Sequence, residues 1–424
     1  MRAVDESLKV NEVHEANGAN EALEAKAPSL PPMSLYLHWP WCVRKCPYCD
    51  FNSHRAPAGL DEARYVEAML VDLAAWPEAA KGRPIETIFL GGGTPSLMSG
   101  EALKRLLSGV RSIWPVAKDA EITLEANPGT ADEAKFERFR AAGVNRLSLG
   151  IQSFSDERLK RLGRIHDAAG ARRAVAAAAR VFENFNLDLM FALPGETLEM
   201  LRDEAREAAD SAATHLSFYQ LTIEEGTAFA KRPPTDLPDE DLAADMGELV
   251  ERVLADAGFR RYEVSGYAKE GRRCRHNLNY WTYGDYVAAG AGAHGKVTLV
   301  NPDGTFSVRR EARFASPAKY LAAVESCGSG AETAFEVEPE ARPFEFMLNA
   351  LRLAEGVPAA FFEARTGLPL SVIEPKLKSL RASGLLVADP ARIAPTEKGL
   401  LFLSDLQEAF LPEALAESEG VSGR

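Results

Sequence analysis

From Ser34 to about Leu221 the chain repeats one rhythm. A short apolar run comes first, then a turn rich in Gly, Pro or Asn, then an amphipathic stretch. The runs are LYLHW (35–39), TIFLGG (87–92), ITLEA (122–126), RLSLGI (146–151), LDLMFA (187–192) and LSFYQL (216–221). The stretches between them, such as GEALKRLLSGVRSIW and TLEMLRDEAREAADSAA, have helical composition. Strands that alternate with helices pair in parallel through right-handed crossovers. The rhythm therefore predicts an α/β fold, a partial (β/α)6 barrel rather than a closed eight-fold one. A doubly wound sheet fits the same pattern, because strand order is not written in it. Polar and glycine signals sit just after the runs, at the carboxyl-end face where such folds bind ligands. A cysteine loop follows the first run and GGGTP the second. Glu125 and Asn127 close the third, Gln152 closes the fourth, and Asp188 lies inside the fifth.

The cysteine loop is HWPWCVRKCPYCDFNSH (38–54), with Cys42, Cys46 and Cys49 spaced C-x3-C-x2-C. So short a spacing turns three thiolates toward a common centre. Ordinary cubane iron–sulfur clusters take four cysteines, so three leave one iron open to a small chelating molecule. Two other ligand sets fit the spacing. Zinc could be held by the three cysteines with His54, or Cys274 could complete a four-cysteine cluster. Chance clustering of structural cysteines is the bland account. Five cysteines in 424 residues do not make a disulfide framework.

A net charge of -13 argues against non-specific binding to nucleic acid or anionic membranes. Residues 1–32 read as a disordered leader ending at Pro31-Pro32. They lack the apolar core of a secretory signal and are too acidic for a mitochondrial presequence. No apolar run reaches the length of a membrane span. A cytoplasmic protein is the expectation. Residues 33–260 form the expected barrel core, and 261–335 a flanking extension. Residues 336–424 form a small, mostly helical, winged-helix-like domain of three helices and a hairpin. Residues 341–424 hold nine Lys/Arg and eleven Asp/Glu, so that domain lacks the basic face a DNA-binding version needs.

The cysteine loop, with aromatic Tyr48 before its last cysteine, resembles that of the radical S-adenosylmethionine (radical SAM) superfamily. The resemblance implies a [4Fe–4S] cluster on Cys42, Cys46 and Cys49. S-adenosylmethionine (SAM) would chelate the open iron and be cleaved there to a 5′-deoxyadenosyl radical. LYLHWPWCVRKCPYCDFNSH, FLGGGTPS, LEANPGT, RLSLGIQSF, LGRIH, DLMFALPGET and HNLNYW together narrow it. They are similar to the HemW haem-chaperone branch of the oxygen-independent coproporphyrinogen III dehydrogenase family.

That resemblance implies SAM contacts from Tyr36, Tyr48, Gly93, Thr94, Glu125, Gln152, Arg164 and Asp188. Each also has a plainer account. The glycines could make a tight turn, Glu125 and Gln152 could be strand-end polar groups, and Asp188 could sit in a structural salt bridge, being costly to bury alone. The dehydrogenases carry a further cysteine two residues after the third, where this chain has Phe51. HNLNYW (276–281) fits the H-N-x-x-Y-W pattern that the branch associates with haem. His276 could ligate the iron, with Tyr280 and Trp281 flanking the porphyrin. A hydrogen-bonded core histidine beside two packed aromatics is the alternative, and His54 or His294 could ligate instead. The implied partners are haem, acceptor haem proteins such as respiratory enzymes, and an electron donor. The implied activity is haem transfer, with oxidative decarboxylation of coproporphyrinogen III as the rival.

Overall fold

The computed structural model describes residues 30–130 and 132–412; the expected leader lies, up to residue 29, outside the described residues. The six apolar runs are six strands. They are β1 (Met33–Trp39), β2 (Ile85–Gly92), β3 (Val116–Ala126), β4 (Arg146–Gln152), β5 (Phe185–Phe191) and β6 (His215–Gln220). Between them lie α1 (Glu62–Ala74), α2 (Gly100–Ile113), α3 (Glu133–Ala142), α4 (Asp156–Arg161) with α5 (Ala168–Val181), and α6 (Leu198–Ala209). The helices start where they do because a short polar side chain precedes each one. Asp61, Ser99, Asp132, Ser155, Asp167 and Thr197 each accept a hydrogen bond from a first-turn N–H. Such a cap is worth about 1 kcal/mol.

After β6 come α7 (Ala228–Lys231), α8 (Glu240–Asp256), β7 (Arg260–Arg261), β8 (Gly266–Ala268) and α9 (Arg275–Trp281). Then follow β9 (Asp285–Ala289), β10 (His294–Val300), β11 (Phe306–Arg313), α10 (Pro317–Cys327) and β12 (Ala331–Glu336). One sheet holds every strand named so far, in the order β12-β11-β10-β9-β1-β2-β3-β4-β5-β6-β8-β7. β1 to β6 are parallel neighbours in sequence order. A doubly wound sheet would reverse its order at a switch point, so the succession selects the barrel-type reading. The α/β fold is as expected, and the sheet continues beyond six strands. β9 adds a seventh parallel strand beside β1, with Leu35 opposite Val287. The stretch expected to flank the barrel thus belongs largely to its sheet.

Each parallel strand alternates in chemistry as well as direction. Leu35, Leu37, Ile88, Leu90, Leu124, Leu147, Leu149, Leu187, Leu189, Leu216 and Phe218 are buried in one core with helix residues such as Leu103, Leu106 and Val110. The intervening positions are polar: Tyr36, His38, Thr87, Glu125, Ser148, Asn186, Asp188 and His215. They face away from that helix-backed core. At the amino end α9 plugs the polar face. Glu121 of β3 accepts from the backbone N–H groups of Arg275 and His276. The carboxyl end is left open for ligands.

The C-terminal unit comprises α11 (Arg342–Ala350), α12 (Ala360–Thr366) and α13 (Glu374–Ala382). Its core of Phe346, Met347, Phe362, Ile373, Leu377 and Ile393 also takes in Tyr262 and Tyr283 from the sheet domain. Two residues, Val357–Pro358, pair antiparallel with Arg392–Ile393. The expected hairpin over 385–406 is a single bridge, Leu386 to Pro395, followed by helical Glu397–Leu401 and Leu403–Glu408. Among the described residues no helix is long and apolar enough to cross a membrane.

Candidate functional site

The cysteine loop is pinned at its base. Trp41–Cys42 pairs in parallel with His54–Arg55. Gly93 and Thr94 donate backbone N–H groups to the carbonyls of Trp39 and Trp41, each at 2.8 Å. The Asn52 amide spans 2.9 Å to the carbonyls of both Ala291 and Ala315. All three thiols are half-buried and line one cavity of about 320 Å³. Thr94 Oγ1 lies 3.4 Å from Cys42 Sγ, Ser53 Oγ 3.7 Å from Cys49 Sγ, and Arg164 Nη1 3.6 Å from Cys46 Sγ. Burial pushes the Cys42 thiol up, and the Thr94 bond opposes it.

Among the described residues no three Cys, His, Asp or Glu side chains converge on a point that one metal ion could fill. The three thiols nevertheless share one cavity, and zinc would need His54 as its fourth ligand there. His54 Nε2 is hydrogen-bonded to Asn52 Oδ1 at 3.1 Å and His54 does not line the cavity. Cys274 cannot be the fourth ligand in this arrangement. It is fully buried at the start of α9, with its thiol 3.5 Å from Glu121 Oε1 and pushed up to about 12. Glu121 is four residues, roughly 13 Å of strand, upstream of Glu125 at the cavity.

The other wall of the cavity is made by Tyr48, Gly93, Thr94, Glu125, Gln152, Arg164 and Asp188. A Cβ on Gly93 would fall 2.7 Å from the Trp41 carbonyl oxygen, so only glycine lets the second βα turn pass beneath the cysteine loop. Gly150, also at the cavity, would put a Cβ 2.9 Å from Asn127 Oδ1. Gln152 ends β4 in the left-handed region, φ 68°, and its Oε1 accepts from the Tyr219 hydroxyl at 2.5 Å. Arg164 is the hub. It donates to the Tyr48 oxygen at 3.4 Å, the Gly150 carbonyl at 2.8 Å and the Asn127 amide oxygen. Its Nε is buried and has no partner, an unmet donor at the cavity.

Asp188 is held by Ser148 at 2.9 Å and the Asn186 amide at 2.7 Å, and burial raises its carboxyl. No cation bonds it directly among the described residues, so a structural salt bridge does not explain it. Glu125 accepts from the Gly92 N–H at 3.1 Å, and burial, then the nearby Asp188, pushes it up to about 8. Two buried carboxylates and an unmet guanidinium N–H suit a ligand carrying cationic and anionic groups together, as an amino-acid sulfonium does. The donor set therefore fits both the cluster and SAM. Sequence reasoning placed Asn127 on the ligand-binding face without a contact and left Tyr219 out; their only signal was their place at the carboxyl ends of strands.

A second cavity of about 560 Å³ adjoins the first and shares Phe51, Gly92 and Glu125 with it. Tyr36 lies here, with its hydroxyl 3.1 Å from His38 Nδ1. Tyr280, Trp281, Tyr286, His294 and Arg310 complete the wall. His276 does not reach it. The ring is 1% exposed, with Nδ1 2.7 Å from Thr87 Oγ1 and Nε2 2.9 Å from the Tyr280 hydroxyl. Phe89 stacks on it at 5.1 Å. Burial, then Arg146, pushes its pKa down to about 3. HNLNYW forms α9, and a helix turns residues four apart to one side. His276 thus supports Tyr280 from below while Tyr280 and Trp281 face the cavity.

The Radical SAM superfamily profile matches residues 36–208, and the HemN C-terminal domain profile residues 337–402. "Heme chaperone HemW" of Escherichia coli K12 is 48% identical over 385 residues, covering 91% of this chain and 99% of that one. Its namesake in Haemophilus influenzae is 45% identical over 391 residues, with 91% and 100% covered. A mouse protein, "Radical S-adenosyl methionine domain-containing protein 1, mitochondrial", is 36% identical over 390 residues, with 90% and 87% covered. Among solved structures, coproporphyrinogen III oxidase (HemN) of Escherichia coli superposes with a TM-score of 0.76 over 91% of each chain. At 22% identity that likeness speaks for the fold alone. With nearly half its residues shared across a relative's whole length, and a three-cysteine loop at the mouth of a matching α/β sheet, the chain belongs to the HemW family of radical SAM proteins.

Proposed function

We propose that this protein is a haem chaperone. It holds a [4Fe–4S] cluster on Cys42, Cys46 and Cys49, binds SAM beside it, and keeps haem in the adjoining cavity for transfer to acceptor haem proteins. One arrangement carries the reading: a polar cavity at the cysteine loop shares a wall with an aromatic-lined cavity large enough for a flat macrocycle. The relatives named as haem chaperones support the haem half of it. When bound, the cluster and SAM supply one-electron chemistry.

The chain's own groups bind and orient. Tyr48, Arg164 and the carboxylates Glu125 and Asp188 fix the nucleotide, with Gly93, Thr94 and Gln152 shaping its bed. Glu125 carries a proton at neutral pH in the empty cavity and gives it up when a cationic group arrives. Tyr36, Tyr280 and Trp281 offer faces to a porphyrin and exclude water from it. The cytoplasm, respiratory enzymes as acceptors, and an external electron donor complete the reading.

Anaerobic reconstituted protein should bind haemin saturably at one haem per chain. Given coproporphyrinogen III, SAM and a reductant, it should form no decarboxylated product. Sustained product formation would replace the chaperone with the dehydrogenase.

A further inference from the structure

The chaperone reading leaves open which side chain meets the haem iron, and the hydrogen-bond pattern of the histidines narrows the choice. His38 lines the aromatic cavity, but both its nitrogens are engaged, by the Tyr36 hydroxyl at 3.1 Å and the Asn52 carbonyl at 2.8 Å. His276 is saturated by Thr87 and Tyr280. His215 is saturated by Asn186 at 2.7 Å and Tyr262 at 2.9 Å. His54 and His166 do not line this cavity. His294 does, its side chain is exposed, and among the described residues neither of its nitrogens has a hydrogen-bond partner. The same wall carries Tyr36, Tyr280 and Trp281, aromatic side chains on either side of the space that His294 faces.

We propose that His294 is the axial ligand of the haem iron in the aromatic cavity, with the porphyrin lying against Tyr36, Tyr280 and Trp281. This assignment rests on the haem-binding reading above. The bond is dative: the imidazole lends a nitrogen lone pair and no proton or electron changes hands. The ring is suited to that, because partial desolvation at the cavity wall and then Arg310 and Arg313 lower its pKa and favour the neutral form. Its backbone is held in place. The turn before it is fastened by the Tyr65 hydroxyl to the Ala291 N–H at 2.8 Å, and by Asn52 to the Ala291 carbonyl at 2.9 Å. Asn52 belongs to the cysteine loop, so the iron ligand and the cluster loop share one anchor. Arg310, already forked onto Glu345 and 3.3 Å from the Tyr286 hydroxyl, puts positive charge at the same wall, where a porphyrin carboxylate would be attracted.

The test is haemin titration of the full-length protein and of His294→Ala, His294→Gly and His276→Gln, read by the Soret band and by ferrous–CO spectra. The unmodified protein and His276→Gln should show the same Soret position. His294→Ala should bind at least tenfold more weakly with a shifted Soret band. Added imidazole should restore the original spectrum in His294→Gly, a result a merely structural role would not give. A His294→Ala protein with unchanged band and affinity would overturn the assignment, and so would a weakened variant that imidazole fails to restore. Absence of saturable haemin binding by the unmodified protein would instead remove the chaperone reading itself.

Discussion

Replacing His276 with alanine should destabilise the sheet domain without touching the haem iron. The ring is sealed between Phe89 and the edge of Tyr280, with centroids 5.1 and 4.7 Å away. Losing those contacts to a cavity costs about 2–3 kcal/mol. Thr87 keeps its bond to Ser34 at 2.7 Å, so its hydroxyl is not orphaned. The Tyr280 hydroxyl loses its 2.9 Å partner, which adds about 1–3 kcal/mol. The sum is about 3–6 kcal/mol, readable as a lower urea midpoint of the near-ultraviolet circular dichroism transition. A pH signature accompanies it. Folded His276 resists protonation down to about pH 3, whereas the unfolded imidazole takes a proton near its ordinary 6.5. Between those values the unfolded state binds the extra proton. Stability from this group is therefore full above pH 6.5 and falls by up to about 1.4 kcal/mol per unit as the pH drops. His276→Gln should flatten that part of the slope, leaving the shares from His215, His166 and His38, whose pKa values burial also lowers. If His276→Ala kept its midpoint and pH slope but lost haem, the placement of this ring in the core would be wrong.

Three further outcomes follow from the cofactor cavity. Glu125 sits near pH 8 in the empty site, so binding a cationic sulfonium should release a proton; affinity for SAM, followed by equilibrium dialysis, should strengthen as pH rises from 6.5 to about 8, and Glu125→Gln should flatten that dependence. Arg164→Lys keeps the charge but cannot span Tyr48, Asn127 and Gly150 at once, so SAM binding should weaken by about tenfold or more while iron content holds. Cys46→Ala should lose the iron–sulfur absorbance on reconstitution, whereas Cys274→Ser should retain its iron; loss of iron in the Cys274 variant would contradict its place at the far end of β3.

The legible parts of the fold were those with a local period. The six strands appear where the apolar runs are, because a strand backed by helices must bury one face whatever lies on the other. Less legible were β9 to β11. Their buried positions include Asp285, Lys296, Glu311 and Arg313, charges whose balance no apolar period announces: Asp285 pairs with Lys296 across strands, and Arg313 with Glu311 two residues back on β11. Asp285 meets both Lys296 and Arg83, and Arg313 meets both Asp72 and Glu311. Read along the chain, such residues look like a surface. The helical turns after Leu386 were missed for a related reason: Leu401 and Phe402 are exposed there, so the apolar pattern did not report burial.

Sequence alone determined the chemistry available to this protein: three close thiols, a glycine turn after the second strand, and acids and amides at strand ends. Residue type and local spacing fix those, since they depend on bonds a few residues long. Tertiary structure decided which of those groups share a space. It set Cys274 beside Glu121, four residues of strand below Glu125 at the cavity it might have joined, turned His276 into the core, and left His294 bare at the rim. That division arises because a histidine's partners are fixed by side chains remote in the chain, Thr87 for one ring and none for the other, and no local pattern encodes them.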